Sequence, residues 1–136
     1  MKLNPYLFFN GECEEAFKFY ERALGAKIVA MMNHEGTPMA DQTPPEWQKK
    51  IMHAQMLVNG GPVMGSDIPT DSYKKPQGFS VSIVTTDVAE AERVFQALAE
   101  NGTVQMPLEE TFWALRFGML VDRFGIPWMV DCDRPA

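Results

Sequence analysis

Hydrophobic and polar positions follow two patterns along this chain, and the patterns occur in the same order twice. The apolar segment PYLFF is followed, after Asn10 and Gly11, by apolar residues at helical spacing. These are Ala16, Phe19, Tyr20, Ala23 and Leu24. Residues at i, i+3, i+4, i+7 and i+8 share one helix face, so the pattern predicts a strand and then an amphipathic helix. Asn10 is expected to cap the helix and Gly25 to end it.

The second half of the chain repeats this order. The segment FSVSIVTT predicts a strand, and the pattern from Asp87 to Glu90 is typical of a helix start. The helical apolar residues that follow are Ala91, Val94, Phe95 and Leu98. Three further strands are predicted in each half, including KIMHAQMLVN and GPVMGSD in the first, and WALRFGMLVD and IPWMVD in the second. The sequence therefore predicts an α+β protein, a single domain of residues 1–136 with βαβββ modules at about 1–68 and about 77–136.

Composition and charge narrow the possible partners. The chain has 136 residues and a net charge of −6, which argues against nucleic acid because phosphate binding requires clustered lysine and arginine. No segment is long and apolar enough to span a membrane, and the N-terminus does not resemble a signal peptide. Cys13 and Cys132 are expected to be free, packed thiols rather than a disulfide. These features predict a cytoplasmic protein.

A long polar segment, NHEGTPMADQTPPEWQKK, separates two strands of the first module. Its length favours a role as a mobile lid or as an arm that contacts a second subunit. A disordered surface loop is an equally weighted alternative. The sequence does not distinguish between these three interpretations of residues 33–50.

Four segments carry a resemblance to a known family: PYLFFNGECEEAFKFYERALGA, IMHAQMLVNGGPVMGSD, GFSVSIVTTDVAEAERVF and VQMPLEETFWALRFGMLVDRFGIPWMVD. With the double βαβββ plan, they resemble the PhnB-like branch (demethylubiquinone methyltransferase-like domain) of the vicinal oxygen chelate superfamily, which includes glyoxalase I, extradiol dioxygenases and bleomycin-resistance proteins. The resemblance implies two modules whose curved sheets enclose a cleft, and a homodimer.

The resemblance also implies four positions that hold a metal ion in the metalloenzyme members. They correspond here to Pro5, to Met64 or Gly65, to Ser80 and to Met129. Proline has no ligating side chain, methionine is a soft thioether and a lone serine hydroxyl is a poor ligand, whereas divalent ions in such sites prefer carboxylate, imidazole or thiolate. We therefore expect no metal site and no cofactor.

Strand alternation identifies the side chains expected in the cleft. His53 and Gln55 share a face opposite Ala54 and Met56, and Ser80 and Ser82 share a face of a later strand. His53 is the candidate catalytic residue, as a general base or hydrogen-bond donor, although a structural histidine is the favoured alternative. Arg116 is a candidate cleft cation for an anionic ligand group, against the alternative of an ordinary salt-bridged arginine.

Aromatic and methionine side chains complete the set of candidates. Trp113 and Trp47 could line a pocket for a planar ligand, whereas Trp128 and Phe112 are expected in the core. The candidate ligand-binding residues are His53, Gln55, Ser80, Ser82, Arg116, Trp113 and Met129. Motifs for S-adenosylmethionine, nucleotide phosphate and a catalytic serine are absent from the sequence.

Two functions remain open at this point. The favoured one is a metal-free protein that binds a small molecule in an apolar cleft. The alternative is an enzyme (a lyase, isomerase or dioxygenase) that acts on a small molecule in the same cleft. A fold of this kind hosts several chemistries, so the fold does not decide between them.

Overall fold

The computed structural model describes residues 1–135 and divides into two compact units, the first spanning Met1–Lys74 and the second beginning at Lys75. The elements of the first unit are β1 (Tyr6–Phe9), α1 (Cys13–Leu24), β2 (Lys27–Asn33), β3 (Ile51–Val58) and β4 (Gly61–Asp67). Those of the second unit are β5 (Val81–Thr85), α2 (Val88–Ala99), β6 (Thr103–Glu109), β7 (Ala114–Val121) and β8 (Pro127–Asp133).

Each unit contains one four-stranded sheet, with the order β1-β4-β3-β2 in the first and β5-β8-β7-β6 in the second. The first strand of each unit pairs in parallel with the last strand, and the other pairs are antiparallel. One helix packs on one face of each sheet. The predicted α+β class and the two βαβββ modules are confirmed.

The core of the first unit lies between α1 and its sheet. The helix buries the predicted apolar residues except Leu24, and it also buries Phe17 completely. Leu7 and Phe9 of β1 and Ala54 and Met56 of β3 meet this helix face. Gly65 allows a close approach, since a Cβ there would lie 2.9 Å from Phe17 Cε1.

The start of α1 is held differently from the prediction. The backbone N–H of Cys13 donates to Asp67 Oδ1 at 2.8 Å, and the backbone N–H of Ile51 donates to Asp67 Oδ2 at 2.8 Å. Asn10 instead accepts a hydrogen bond from the Thr70 hydroxyl. The capping acceptor comes from the end of β4 because β1 and β4 run parallel, which brings their carboxyl ends to the same place.

In the second unit Asp87 caps α2 as predicted, accepting hydrogen bonds from the backbone N–H groups of Ala89 and Glu90. The Glu90 side chain does not return to Asp87 but accepts from the Thr85 hydroxyl. Trp128 is buried as expected, whereas Phe112 is 89% exposed and does not join the core.

The segment of residues 33–50 contains local hydrogen-bonded structure. It contains two short 3₁₀ turns, Ala40–Gln42 and Pro45–Trp47. The Gln48 side chain donates to the carbonyl oxygens of Ala40 and Thr43, at 2.7 and 2.8 Å. Lys50 Nζ donates to the Gly11 carbonyl oxygen, which ties the segment to the start of α1.

Both cysteines are buried free thiols, as predicted. Cys13 belongs to the first unit and Cys132 to the second. Within residues 1–135 no helix is long and apolar enough to cross a membrane.

Candidate functional site

Each sheet has one face covered by its helix and one face turned away from it, which we call the open face. On β1, Leu7 and Phe9 point toward α1, so Tyr6 and Phe8 lie on the open face, where they are 38% and 50% exposed. Gly65 faces Phe17 of α1, which places Met64 on the open face of β4. Met64 pairs with Tyr6 on one side and with Gln55 on the other.

His53 and Gln55 lie on the open face of the first sheet, as the strand alternation predicts. Their neighbours on β3, Ala54 and Met56, are fully buried on the helix side. His53 Nδ1 lies 3.2 Å from the Tyr6 hydroxyl, and the two rings are 5.8 Å apart at a tilted angle. When the phenol donates this hydrogen bond, the imidazole proton is on Nε2 and can be donated to another group.

Tyr6 is a further candidate site residue that the sequence analysis did not select. The segment PYLFF was interpreted only as an aromatic strand, without assigning its alternate side chains to faces. The same alternation rule that placed His53 would have placed Tyr6 and Phe8 on the open face. The partner of His53 is therefore a tyrosine from β1 rather than the neighbouring Gln55.

On the second sheet, a row of side chains crosses the open face. Ser82 of β5 pairs with Met129 of β8, Met129 with Met119 of β7, and Met119 with Met106 of β6. Ser82 and Met129 thus lie on the face that the sequence predicted for ligand contact. The methionine on the last strand is partly exposed on this open face and is not a core residue.

An open depression of about 500 Å³ lies beside this row, entirely within the second unit. Its wall includes Ser80, just before β5, and the side chains of Met119 and Met129. Phe79 and Gln105 also line it. The depression therefore combines flexible thioethers with a hydroxyl and an amide, a combination suited to a mostly apolar ligand with few polar groups.

Trp113 lies just before β7, at the margin of the same open face. Its ring contacts Phe117 edge to face with centroids 5.4 Å apart, and it contacts Phe112 in the same way at 4.9 Å. Phe117 is on the open face because it pairs with Asp131, the next open-face residue after Met129 on β8. Trp113 is 48% exposed and available for contact with a ligand.

Arg116 does not lie on the open face, so its assignment as a cleft cation is wrong. It pairs with Cys132, which is fully buried on the helix side, and its Nε lies 3.3 Å from Glu92 Oε1 of α2. Gly118, two residues further along β7, faces Phe95 of α2. The small or apolar residues Gly118 and Leu120 on the same side of β7 were the sequence signal for a helix-covered face.

Asp131 is a further open-face residue that the sequence analysis did not select. Its Oδ1 atom is buried and has no hydrogen-bond partner within the described part of the chain. Burial and the neighbouring Asp133 carboxylate raise the pKa of Asp131 above its ordinary value. A carboxyl group in these conditions can hold a proton at higher pH than an exposed aspartate, or can bind a donor or cation.

The four positions of the implied metal site do not fit a divalent ion. Pro5 precedes β1 and offers no donor, and Gly65 faces α1 without a side chain. Met64, Ser80 and Met129 offer only two thioethers and one hydroxyl. In residues 1–135 no group of three or more His, Cys, Asp or Glu side chains is placed to hold a metal ion.

Comparisons with known proteins agree with the fold. Residues 2–130 match the sequence model of the Glyoxalase/Bleomycin resistance protein/Dioxygenase superfamily. Protein YjdN of Escherichia coli (strain K12) is 35% identical over 139 residues, a match that covers 96% of this chain and 95% of that protein.

Two solved structures are similar over nearly their whole length. Protein PA1353 from Pseudomonas aeruginosa is 45% identical, with a TM-score of 0.86 and 99% of both chains covered. A Bacillus cereus protein described as a putative 3-demethylubiquinone-9 3-methyltransferase, PhnB protein, is 26% identical, with a TM-score of 0.81 and coverage of 96% of this chain and 98% of that chain.

Proposed function

We propose that this chain, which belongs to the Glyoxalase/Bleomycin resistance protein/Dioxygenase superfamily and to its PhnB-like group, is a small-molecule-binding protein whose site contains no metal ion. The observation that supports this most directly is the depression of about 500 Å³ lined by Met119, Met129 and Ser80. Its volume lies within the range of roughly 300–1,000 Å³ that is typical of ligand pockets.

The residues at the four implied metal positions support the metal-free part of the proposal. Metal content of the purified protein and a melting-temperature scan across divalent ions test it. We expect less than stoichiometric metal and no shift of several degrees with any ion. Stoichiometric metal, or a large shift with one ion, would contradict the assignment of these positions.

Filling the depression tests the binding site itself. With 2-naphthol as a neutral aromatic probe, calorimetry is expected to show binding to the wild-type protein, and Ser80→Trp is expected to weaken it by at least about tenfold because the indole occupies the cavity. Gln96→Trp, on an exposed part of α2, is the matched control and should bind like wild type. Equal binding by Ser80→Trp would exclude the depression as the site.

A second candidate function is an enzyme, a lyase, isomerase or dioxygenase, that uses His53 as a general base. The observation that favours it is the contact of 3.2 Å between His53 Nδ1 and the Tyr6 hydroxyl, because in the tautomer whose Nδ1–H donates to the Tyr6 oxygen, Nε2 is free to accept a proton. His53→Ala separates the two roles of this residue. A structural role predicts a lower melting temperature, whereas a site role predicts lost binding or turnover at an almost unchanged melting temperature.

The proposal also includes a homodimeric assembly and a cytoplasmic location. A homodimer is supported by exposed apolar side chains on β2, an edge strand of its sheet, where Val29 is 47% and Met32 is 46% exposed. Light scattering tests it, with Met32→Glu expected to shift a dimer toward monomer.

A cytoplasmic location is supported by two free, buried thiols, since cysteines stay reduced in that compartment.

A further inference from the structure

Resting on the proposed function, we propose that the open face of the second sheet binds planar organic cations. The surface that carries this selectivity is the aromatic–acid patch, which we define as Phe112, Trp113, Phe117 and Asp131. It adjoins the depression, because Phe117 and Met119 are successive open-face residues of β7, and Asp131 and Met129 are successive open-face residues of β8.

The patch contains three aromatic rings in successive contact, and the last of them lies opposite a carboxyl group. Phe117 lies directly opposite Asp131 across the β7–β8 pair. The Trp113 ring contacts Phe117 at 5.4 Å and Phe112 at 4.9 Å between centroids. With Phe112 89% and Trp113 48% exposed, ring faces are available to a ligand. Aromatic faces attract cations, and indole does so most strongly.

The charges around the patch favour a cation over an anion. Within the four strands of the second sheet (β5, β6, β7 and β8), all of which the structure describes, Arg116 is the only lysine or arginine. It is on the helix side with Glu92. Glu109 of β6 pairs with Phe117, and Glu109 and Asp133 add two further carboxylates to the side of the sheet that carries Asp131. Arg134 follows β8, but its guanidinium is bound to Glu110 Oε2 at 2.8 Å and to the Thr111 carbonyl oxygen at 2.9 Å.

Asp131 is the carboxyl group in the patch, and its side chain interacts with that of Asp133. Asp67 and Asp122 accept hydrogen bonds from backbone or indole N–H donors, whereas Asp131 Oδ1 has no donor among residues 1–135. The Asp131 and Asp133 carboxyl groups repel each other when both are ionised, so a ligand that supplies positive charge and N–H groups is favoured beside them. Burial raises the pKa of Asp131, and the charge of Asp133 and a side-chain hydrogen bond with it raise it further.

The ligand chemistry follows from the two halves of the patch. The rings suit a flat, apolar body, and the carboxyl group suits a cationic N–H donor such as an amidinium or a protonated aromatic amine. Three probes of nearly equal shape separate these contributions: benzamidine as the cation, benzamide as the neutral compound and benzoate as the anion. Calorimetry at neutral pH is expected to show benzamidine binding at least about tenfold more tightly than benzamide, with benzoate weakest.

Asp131→Asn tests the role of the carboxyl group, and Asp71→Asn, on an exposed residue of the first unit, controls for loss of one negative charge. Asp131→Asn should reduce benzamidine affinity to the level of benzamide, while Asp71→Asn should leave the preference intact. Unchanged preference in Asp131→Asn, or benzoate binding as tightly as benzamidine, would overturn the proposal. In case Asp131→Asn does not fold, Trp113→Leu should weaken benzamidine by about tenfold, and unchanged binding would equally count against the patch.

The pH dependence provides a measurement on the unmodified protein. Benzamidine affinity should increase as the pH rises through the raised pKa of Asp131, because only the ionised carboxyl group attracts the cation. Asp133 and Glu109 share this side of the sheet, and Arg116 and Glu92 lie on the helix side.

If 2-naphthol binds but the protein shows no preference for benzamidine over benzamide, the inference of a cation site fails and the proposed function stands. If 2-naphthol does not bind either, the proposed function fails with it.

Discussion

At the scale of single residues, three buried or half-buried aspartates have different roles. Asp67 joins the start of α1 to the start of β3 through two hydrogen bonds of 2.8 Å. Asp122 accepts from the backbone N–H groups of Phe124 and Ile126 and from the Trp128 indole. Both side chains satisfy donors that folding removes from water. Asp131 differs from both, because its Oδ1 has no such donor in residues 1–135 and its side chain interacts with the Asp133 carboxyl group.

Replacing Asp122 by alanine tests its structural role. The change removes the carboxylate that accepts from two backbone N–H groups and one indole N–H, so we expect Asp122→Ala to lower the free energy of unfolding by about 3 kcal/mol. Urea unfolding followed by circular dichroism measures it. Asp71→Ala, on an exposed residue, should change the value by less than about 0.5 kcal/mol. A loss below about 1 kcal/mol in Asp122→Ala would contradict the structural role of Asp122.

Asp131 gives a pH-dependent prediction with a definite sign. Its pKa is raised in the folded protein above the ordinary 3.8, so the folded state binds the proton more tightly than the unfolded state. The stability contributed by Asp131 is then complete below its unfolded pKa and is lost as the pH rises through the folded value. We expect the free energy of unfolding of Asp131→Asn, relative to wild type, to increase with pH across this window and then level off. A difference that falls with pH in urea titrations would refute the prediction.

The sequence located some of these residues and misplaced others for a physical reason. Strand alternation was sufficient for His53, Gln55 and Ser82, because each lies within a regular strand, whereas Met129 was selected from the family resemblance. Arg116 was assigned to the wrong face because its charge was given more weight than the small and apolar residues beside it. The long Arg116 side chain lies on the helix side, where its charged end reaches Glu92 of α2.

At the scale of elements, both helices and the order of the strands were predictable from apolar spacing. The groups that form hydrogen bonds with the ends of these elements were not predictable. Asn10 is adjacent in sequence to α1, yet Asp67 supplies the acceptor, and that contact depends on the parallel pairing of β1 with β4. The local structure of residues 33–50 likewise includes hydrogen bonds of Gln48 and Lys50 that no local pattern indicates.

Packing between α2 and β7 gives a prediction at this scale. A Cβ on Gly118 would lie 2.8 Å from Phe95 Cε2 and 3.0 Å from Leu108 Cα. Gly118→Ala is therefore expected to lower the free energy of unfolding by about 1–3 kcal/mol through overpacking. In Gly118→Ala/Phe95→Leu the smaller side chain gives space to the new methyl group, so the double variant should lose less than the sum of the single variants. If the losses in free energy of unfolding are strictly additive, the contact between the new methyl group at position 118 and Phe95 is not the cause of the destabilisation.

At the scale of the whole molecule, the same βαβββ topology is built from two segments with little sequence in common. The strand orders β1-β4-β3-β2 and β5-β8-β7-β6 are equivalent, and each unit buries its own helix face. Each unit also buries one thiol, Cys13 in the first and Cys132 in the second. The two cysteines are thus natural reporters of the opening of each unit.

Burial raises the pKa of both thiols, and the nearby carboxylates Asp67 for Cys13 and Asp87 for Cys132 raise it further. Because the thiolate is the reactive form, native protein should react with a disulfide reagent at least about 100-fold more slowly than denatured protein, and raising the pH toward 9 should not remove this protection. The variants Cys13→Ala and Cys132→Ala leave one reporter in each case. Rapid labelling of either in native buffer would show that its unit opens more easily than its buried core implies.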